Sequence, residues 1–248
     1  LGPPTDEQGL RAAGKKGLVA MMCDSTNVFV DGHTGSEGPL RKSLADIVAV
    51  QTGRVVVTLF ASNVARMESA IKAGVAAGRS VCLVGRSLFR IFEIARECGY
   101  LEDCPEFVDS RDVGHLPREN ILILATGSQG EDRAALARIA QEDHRDISLQ
   151  SGDTVIFSSR EIPGNERSIG RVQNALAKQG VKIITEHDEF VHVSGHPSRD
   201  DLRRLYDWVK PPLLVPLHGE SRHLLGHRRF AAENGISSTA MAENGEVL

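Results

Sequence analysis

Paired cysteines are missing. The chain has four cysteines, Cys23, Cys82, Cys98 and Cys104, and none stands in a CxxC pair. Neither a zinc knuckle nor a disulfide framework is therefore expected; buried free thiols in a reducing compartment are. No apolar run reaches the roughly 18 residues that a membrane helix requires, and no secretory leader is visible. A cytoplasmic placement away from membranes is the expectation. An excess of positive charge is also lacking, because 29 Lys and Arg stand against 33 Asp and Glu for a formal net charge of −4. That balance argues against a surface that wraps nucleic acid electrostatically, yet leaves room for a local basic cleft. No GxGxxG follows the first strand-like run, and Gly127-Ser128-Gln129-Gly130 is not a Walker loop. A nucleotide- or dinucleotide-dependent enzyme on a Rossmann-like sheet is disfavoured accordingly. No internal repeat or low-complexity tract stands out.

What is present is alternation. Strand-like apolar runs at 18–23, 55–60, 81–84, 121–125, 154–158, 181–185, 191–196 and 213–218 are separated by stretches with helical spacing at 62–77, 85–98, 132–140, 164–179 and 197–210. This is the α/β pattern of a mainly parallel sheet with flanking helices, and 248 residues suffice for one large domain or two small ones. Loop signals at 31–39 and 186–189 mark candidate boundaries.

Several strand ends finish in polar residues that a core has no use for. The first runs into Asp24-Ser25-Thr26-Asn27, the second into Ala61-Ser62-Asn63 with Arg66 one turn on, and the fourth into Thr126-Gly127-Ser128-Gln129-Gly130-Glu131. The fifth runs into Ser158-Ser159-Arg160-Glu161-Ile162-Pro163-Gly164-Asn165-Glu166. Loops of this kind opening onto a helix favour an anion, although capping and turn formation explain the same residue types one loop at a time. Two histidines sit at matching points of a strand, helix, strand pattern. His196 closes 191–196, His218 closes 213–218, and Leu202, Leu205, Trp208 and Val209 lie at helical spacing between them. A βαβ crossover would bring both imidazoles to one carboxyl edge, where α/β proteins place their chemistry.

Taken together and in order, Asp24-Ser25-Thr26-Asn27, Ala61-Ser62-Asn63 with Arg66, Ala125-Thr126-Gly127-Ser128-Gln129-Gly130-Glu131, Ser158-Ser159 with Ile162-Pro163-Gly164-Asn165-Glu166, His192-Val193-Ser194-Gly195-His196 and His218-Gly219-Glu220 resemble ribonuclease J, a bacterial member of the β-CASP branch of the metallo-β-lactamase superfamily. The resemblance implies a hydrolase that cuts RNA phosphodiesters, endonucleolytically and by 5′ to 3′ exonucleolytic decay, with two zinc ions between its lactamase and β-CASP domains. It implies residues 1–35 as the end of a first lactamase segment, 36–189 as the β-CASP insertion and 190–248 as the returning lactamase segment. Asp24 matches the acidic motif that opens the β-CASP series, His196 the next motif histidine, and His218 the last, a zinc ligand. The family's HxHxDH motif and its other zinc ligands have no match in the chain, which begins with Leu1 rather than Met. A piece of a longer enzyme, inactive alone, is expected.

On this reading Asp24 and His196 are catalytic and His218 holds metal. Ser62, Asn63, Arg66, Ser128, Ser158, Ser159, Ser194 and Gly195 hold single-stranded RNA or its 5′-monophosphate, while His192 and Glu220 orient the ligands through outer hydrogen bonds. The competing reading of His218 is a hydrogen-bonded strand-end histidine; of Asp24, Ser128, Ser158 and Ser159, ordinary capping. His33, His115, His144, His187, His223 and His227 stand among polar residues and are read as solvated, with Arg222, Arg228 and Arg229 forming a wet helix face or an RNA contact. The alternative function is a catalytically incomplete RNA- or nucleotide-binding module. A homo-oligomer is expected for the full-length protein, and partial lactamase strands are expected to leave apolar faces bare.

Overall fold

In chain order the elements are α1 (Glu7–Lys16), β1 (Met21–Asp24), α2 (Glu37–Ala49), β2 (Val55–Thr58), α3 (Val64–Ala76), β3 (Ser80–Val84), α4 (Arg86–Glu97), β4 (Ile121–Ala125), α5 (Ala135–Ala140), β5 (Thr154–Phe157), α6 (Glu166–Lys178), β6 (Lys182–Ile184), α7 (Arg199–Val209), β7 (Leu214–Leu217) and α8 (Ser221–Glu233). The structure, a computed structural model, describes residues 4–247. It divides into two compact units, Ser36–Val193 and the chain up to Gly35 together with Ser194 onward. The second break falls a little beyond the loop signals at 186–189. No helix among the described residues is long and apolar enough to cross a membrane.

The unit from Ser36 to Val193 is built on a parallel five-stranded sheet in the order β3-β4-β2-β5-β6. Its strands are short, β-branched and buried on both sides, so they read as continuous apolar runs. Within them the period of two is kept. Val55, Val57, Leu122 and Leu124 join Leu44, Met67 and Leu88 from α2, α3 and α4. Val56, Ile123 and Val155 join Leu136, Ile169 and Leu176 from α5 and α6 on the other face. Each such side chain removed from water contributes roughly 1.5–3 kcal/mol, which fixes the register. That register brings the carboxyl ends level: Ala125 lies beside both Val84 and Thr58, and Thr58 beside Phe157.

Two differences from the sequence reading stand out here. Helix α2 begins inside the loop signal at 31–39 and runs through a stretch for which the sequence reading gives no element, although Leu40, Leu44, Ile47 and Val48 are buried along one face. The run 191–196, read as a strand, is not one, and no βαβ crossover joins the two histidines. Val191 and Val193 are buried, but their carbonyls accept from side chains instead of a ladder. Val191 O takes the Ser158 hydroxyl at 2.7 Å, and Val193 O takes the Arg66 guanidinium at 3.3 Å.

The other unit pairs β1 with β7, again in parallel, setting Asp24 beside Leu217. Cys23, Val28, Leu202, Tyr206, Leu214 and Phe230 form its core. Helix α1 has no buried side chain and holds on through close backbone approach. A Cβ on Gly14 would lie 2.5 Å from the Val209 carbonyl oxygen of α7, so only glycine fits there. One face of β1 is bare, with Met22 70% exposed.

Candidate metal centre

Asp24 ends β1, and His218 follows the last residue of its partner β7, so the parallel register alone puts a carboxylate next to an imidazole. His196 arrives from the connection before α7. Asp24 Oδ2 lies 2.7 Å from His196 Nδ1 and 3.6 Å from His218 Nδ1. The two rings are stacked with centroids 5.1 Å apart, and one ligand atom from each of the three residues falls within 4.8 Å of the others.

The surrounding polar groups hold this geometry. The Thr26 N–H donates to Asp24 Oδ1 at 2.7 Å, anchoring one carboxylate oxygen and aiming the other at the imidazoles. Burial raises the Asp24 pKa, but the Thr26 N–H and the His196 ring outweigh it and hold the carboxyl below its usual range. It is therefore ionised at neutral pH. The His196 carbonyl accepts from Asn27 Nδ2 at 3.0 Å and Thr34 Oγ1 at 2.7 Å. His218 adopts a left-handed φ of 55°, uncommon for a residue with a side chain; the Thr26 hydroxyl donates to its carbonyl at 3.0 Å. Gly219 then lets the chain turn tightly into α8, since a Cβ there would meet His223 Cβ at 2.7 Å.

Two imidazoles and an ionised carboxylate form a donor set suited to zinc. With its Nδ1 on Asp24, His196 is oriented in the way that outer carboxylates orient functional imidazoles, and its side chain is 38% exposed. His218 is the most open of the three, 68% exposed.

Behind the centre lies a buried relay that the sequence reading missed. His227, read as solvated, is fully buried. Its Nδ1 is 2.8 Å from Ser25 Oγ and its Nε2 2.5 Å from the Tyr206 hydroxyl. Burial pushes its pKa down to about 4 and raises that of Tyr206, so a neutral imidazole bridges two hydroxyls, donating to one and accepting from the other. The correction has a simple cause: Phe230 and Ala231 follow His227 on the inward face of α8, whereas Arg222, Arg228 and Arg229 face water. His144 also departs from the reading; it is half-buried and accepts the Asp146 and Ile147 N–H groups. His33, His115 and His187 are exposed.

Glu220 caps α8 and pairs with Arg222 at 3.3 Å. Ser194 Oγ accepts from Asn27 Nδ2 and from the His196 N–H, both at 3.1 Å. Gly195 is exposed, with open space around it.

In the sheet-bearing unit the residues singled out at strand ends do gather at one carboxyl edge, but their environments differ. Ser62 is exposed. Asn63 caps α3 by accepting the Arg66 N–H at 3.0 Å. Arg66 is 1% exposed, and its guanidinium is spent internally. It grips both oxygens of Glu37 at 2.7 and 2.8 Å and donates to the Ser158 carbonyl at 2.9 Å and hydroxyl at 3.0 Å. It acts as a buried brace, and its place as a phosphate contact rests on the family resemblance alone. Ser128, Ser158 and Ser159 are buried as well. His192 lies 3.3 Å from Arg66 Nη1, and burial beside that cation pushes its pKa down to about 4.

The family model described as the ribonuclease J beta-CASP domain matches residues 52–176. That of the Zn-dependent metallo-hydrolase RNA specificity domain matches residues 180–241. A Sinorhizobium meliloti protein named Ribonuclease J is 46% identical over 248 residues, all of this chain and 44% of its own length. Its Mycolicibacterium smegmatis namesake is 41% identical over 98% of the chain and 44% of the relative. Ribonuclease J 1 of Streptococcus pyogenes is 37% identical over 100% and 45%. The chain thus spans less than half the length of these curated relatives.

Proposed function

The chain belongs to the ribonuclease J family, and from that premise we propose that it is the β-CASP and RNA-specificity part of a zinc-dependent ribonuclease hydrolysing RNA phosphodiester bonds. The observation that carries this reading is the Asp24, His196 and His218 cluster, one donor atom from each of which lies within 4.8 Å of the others. His218 with Asp24 would hold the metal, one of two zinc ions in the complete centre. Zinc supplies Lewis acidity toward water and toward a phosphoryl oxygen.

The chain's own residues do the rest. Asp24 fixes the His196 ring through Nδ1, leaving the opposite nitrogen to donate a hydrogen bond or a proton to the phosphodiester. Ser194, Gly195 and Ser62 offer polar or open positions for the single-stranded backbone. Single-stranded RNA with a 5′-monophosphate is the proposed substrate, cut from that end and internally, in the cytoplasm and by a homo-oligomer of the full-length protein.

The test uses the parent protein. Changing His218→Ala is expected to lower bound zinc and to cut the rate on 5′-monophosphorylated RNA by at least about a hundredfold. Full zinc content and an unchanged rate would overturn the assignment. A second reading, RNA binding without turnover, applies to these residues alone, because only three candidate ligands are grouped among the described residues. Zinc-stimulated cleavage by the isolated chain would contradict it.

A further inference from the structure

We propose that a groove at the β3 and β4 end of the sheet is a second contact site for single-stranded RNA, extending the strand path beyond the ends of β2 and β5. It rests on the ribonuclease reading above and adds to it a place where nucleotides outside the reacting centre are held. The groove encloses about 1130 Å³ and lies between the β3–α4 turn, the segment around Phe107 and the residues flanking α5. That exceeds the roughly 300–1,000 Å³ of a small-molecule pocket and suits a stretch of polymer.

Its lining carries four arginines against three carboxylates, Asp109, Glu131 and Asp146, in a chain that is acidic overall. Arg86, Arg133, Arg138 and Arg145 converge on it. Arg138 and Arg145 lean on Asp143 and Asp146 at 3.5 and 3.7 Å. Arg86 and Arg133 are exposed and have no ion-pair partner among the described residues. The carboxylates that share the groove are already engaged. Asp109 is held by Arg111 at 2.8 Å, Asp146 accepts from Ser110 at 3.0 Å, and Glu131 accepts the Gln129 N–H at 3.0 Å. The groove therefore presents free guanidinium donors, which match phosphodiester oxygens.

Aromatic surface accompanies the charge. Phe89 is 46% exposed on α4 and lines the groove, while Phe107 joins the lining half-buried, its ring set edge-on against Phe92. Exposed aromatic faces among cations are the two elements with which proteins hold single strands without reading sequence, by stacking and by backbone attraction. Continuity completes the case. β3 stands two places from β2, about 10 Å at ordinary strand spacing, and the carboxyl ends of both are level through Ala125. A strand passing Ser62 can continue along the same edge into the groove.

The experiment measures binding of 2′-O-methyl oligouridylates, which resist cleavage, to the parent protein by fluorescence anisotropy. One probe has about three nucleotides and one about twelve. Arg86→Ala with Arg133→Ala is expected to weaken the longer probe about tenfold and to flatten its log–log salt slope by about 1.4, two phosphates' worth. Phe89→Ala is expected to weaken it at least about fivefold. Affinity for the short probe stays within about twofold of the unchanged protein, as does the cleavage of short substrates. All three side chains are exposed, so equal melting temperatures serve as the folding control. An unchanged affinity and slope for the longer probe overturn the second site and leave the ribonuclease reading standing. Equal losses on both probes overturn it too, since the groove would then act on the centre itself. Failure of the unaltered parent protein to bind or cut either RNA removes both readings.

Discussion

Asp24 divides its two oxygens between tasks, one tied to the Thr26 N–H and the other facing His196 and His218. A residue that closes a short Asx-type turn can thus also serve at the proposed centre, so the capping and functional readings of the sequence are not exclusive. His227 shows the opposite lesson. Judged by its arginine neighbours it looked wet; judged by its spacing to Phe230 and Ala231 it belongs to the inner face of α8, and that spacing was available. Its burial has a measurable consequence. The imidazole titrates near 6.5 when unfolded and at about 4 when folded, so between those values the unfolded state binds more protons. Stability from this group is complete above pH 6.5, falls as the pH drops toward 4, and levels off below, a total of about 3 kcal/mol. Urea unfolding across that window is expected to show a shallower acid loss in His227→Gln than in the unaltered protein; coincident pH profiles would refute the buried neutral state.

Strands were the most legible elements because β-branched runs bounded by turn residues leave few alternatives, and Ile121–Ala125 folds as read. The segment at 191–196 misled for a physical reason. Alternating Val and His supply the period of a strand, but what completes the backbone there is a buried guanidinium from α3, a partner too distant in sequence for any local pattern to reveal. Helix α1 escaped notice because it buries nothing and depends on Gly14 meeting α7. The role of Arg66 can be weighed directly. Arg66→Ala strands Glu37, the Ser158 hydroxyl and the Val193 carbonyl without their donor, and breaking a buried pair in this way costs about 3–5 kcal/mol. A denaturant midpoint lowered to that extent is expected for the sheet-bearing unit, and a change below about 1 kcal/mol would place Arg66 outside the fold's support.

At the scale of the molecule, the two units carry different shares of the chemistry. One offers the carboxylate and imidazoles at the end of a two-stranded pair; the other offers a level sheet edge with polar loops and a cationic groove. The family likeness was legible because its motifs follow one another in order along the chain, most of them at strand ends. The residues that stiffen the centre, Thr34 and Tyr206 among them, come from loop and helix positions that no motif marks. The face of β1 at Met22 is bare, that side chain being 70% exposed. The centre itself is tested most directly by zinc-edge anomalous scattering from crystals of that parent protein. A peak within about 2.0–2.2 Å of Asp24 and His218 donor atoms, with His196 still on the Asp24 carboxylate, is the expected result. Zinc bound elsewhere, with the His218 ring turned to solvent, would contradict the assignment.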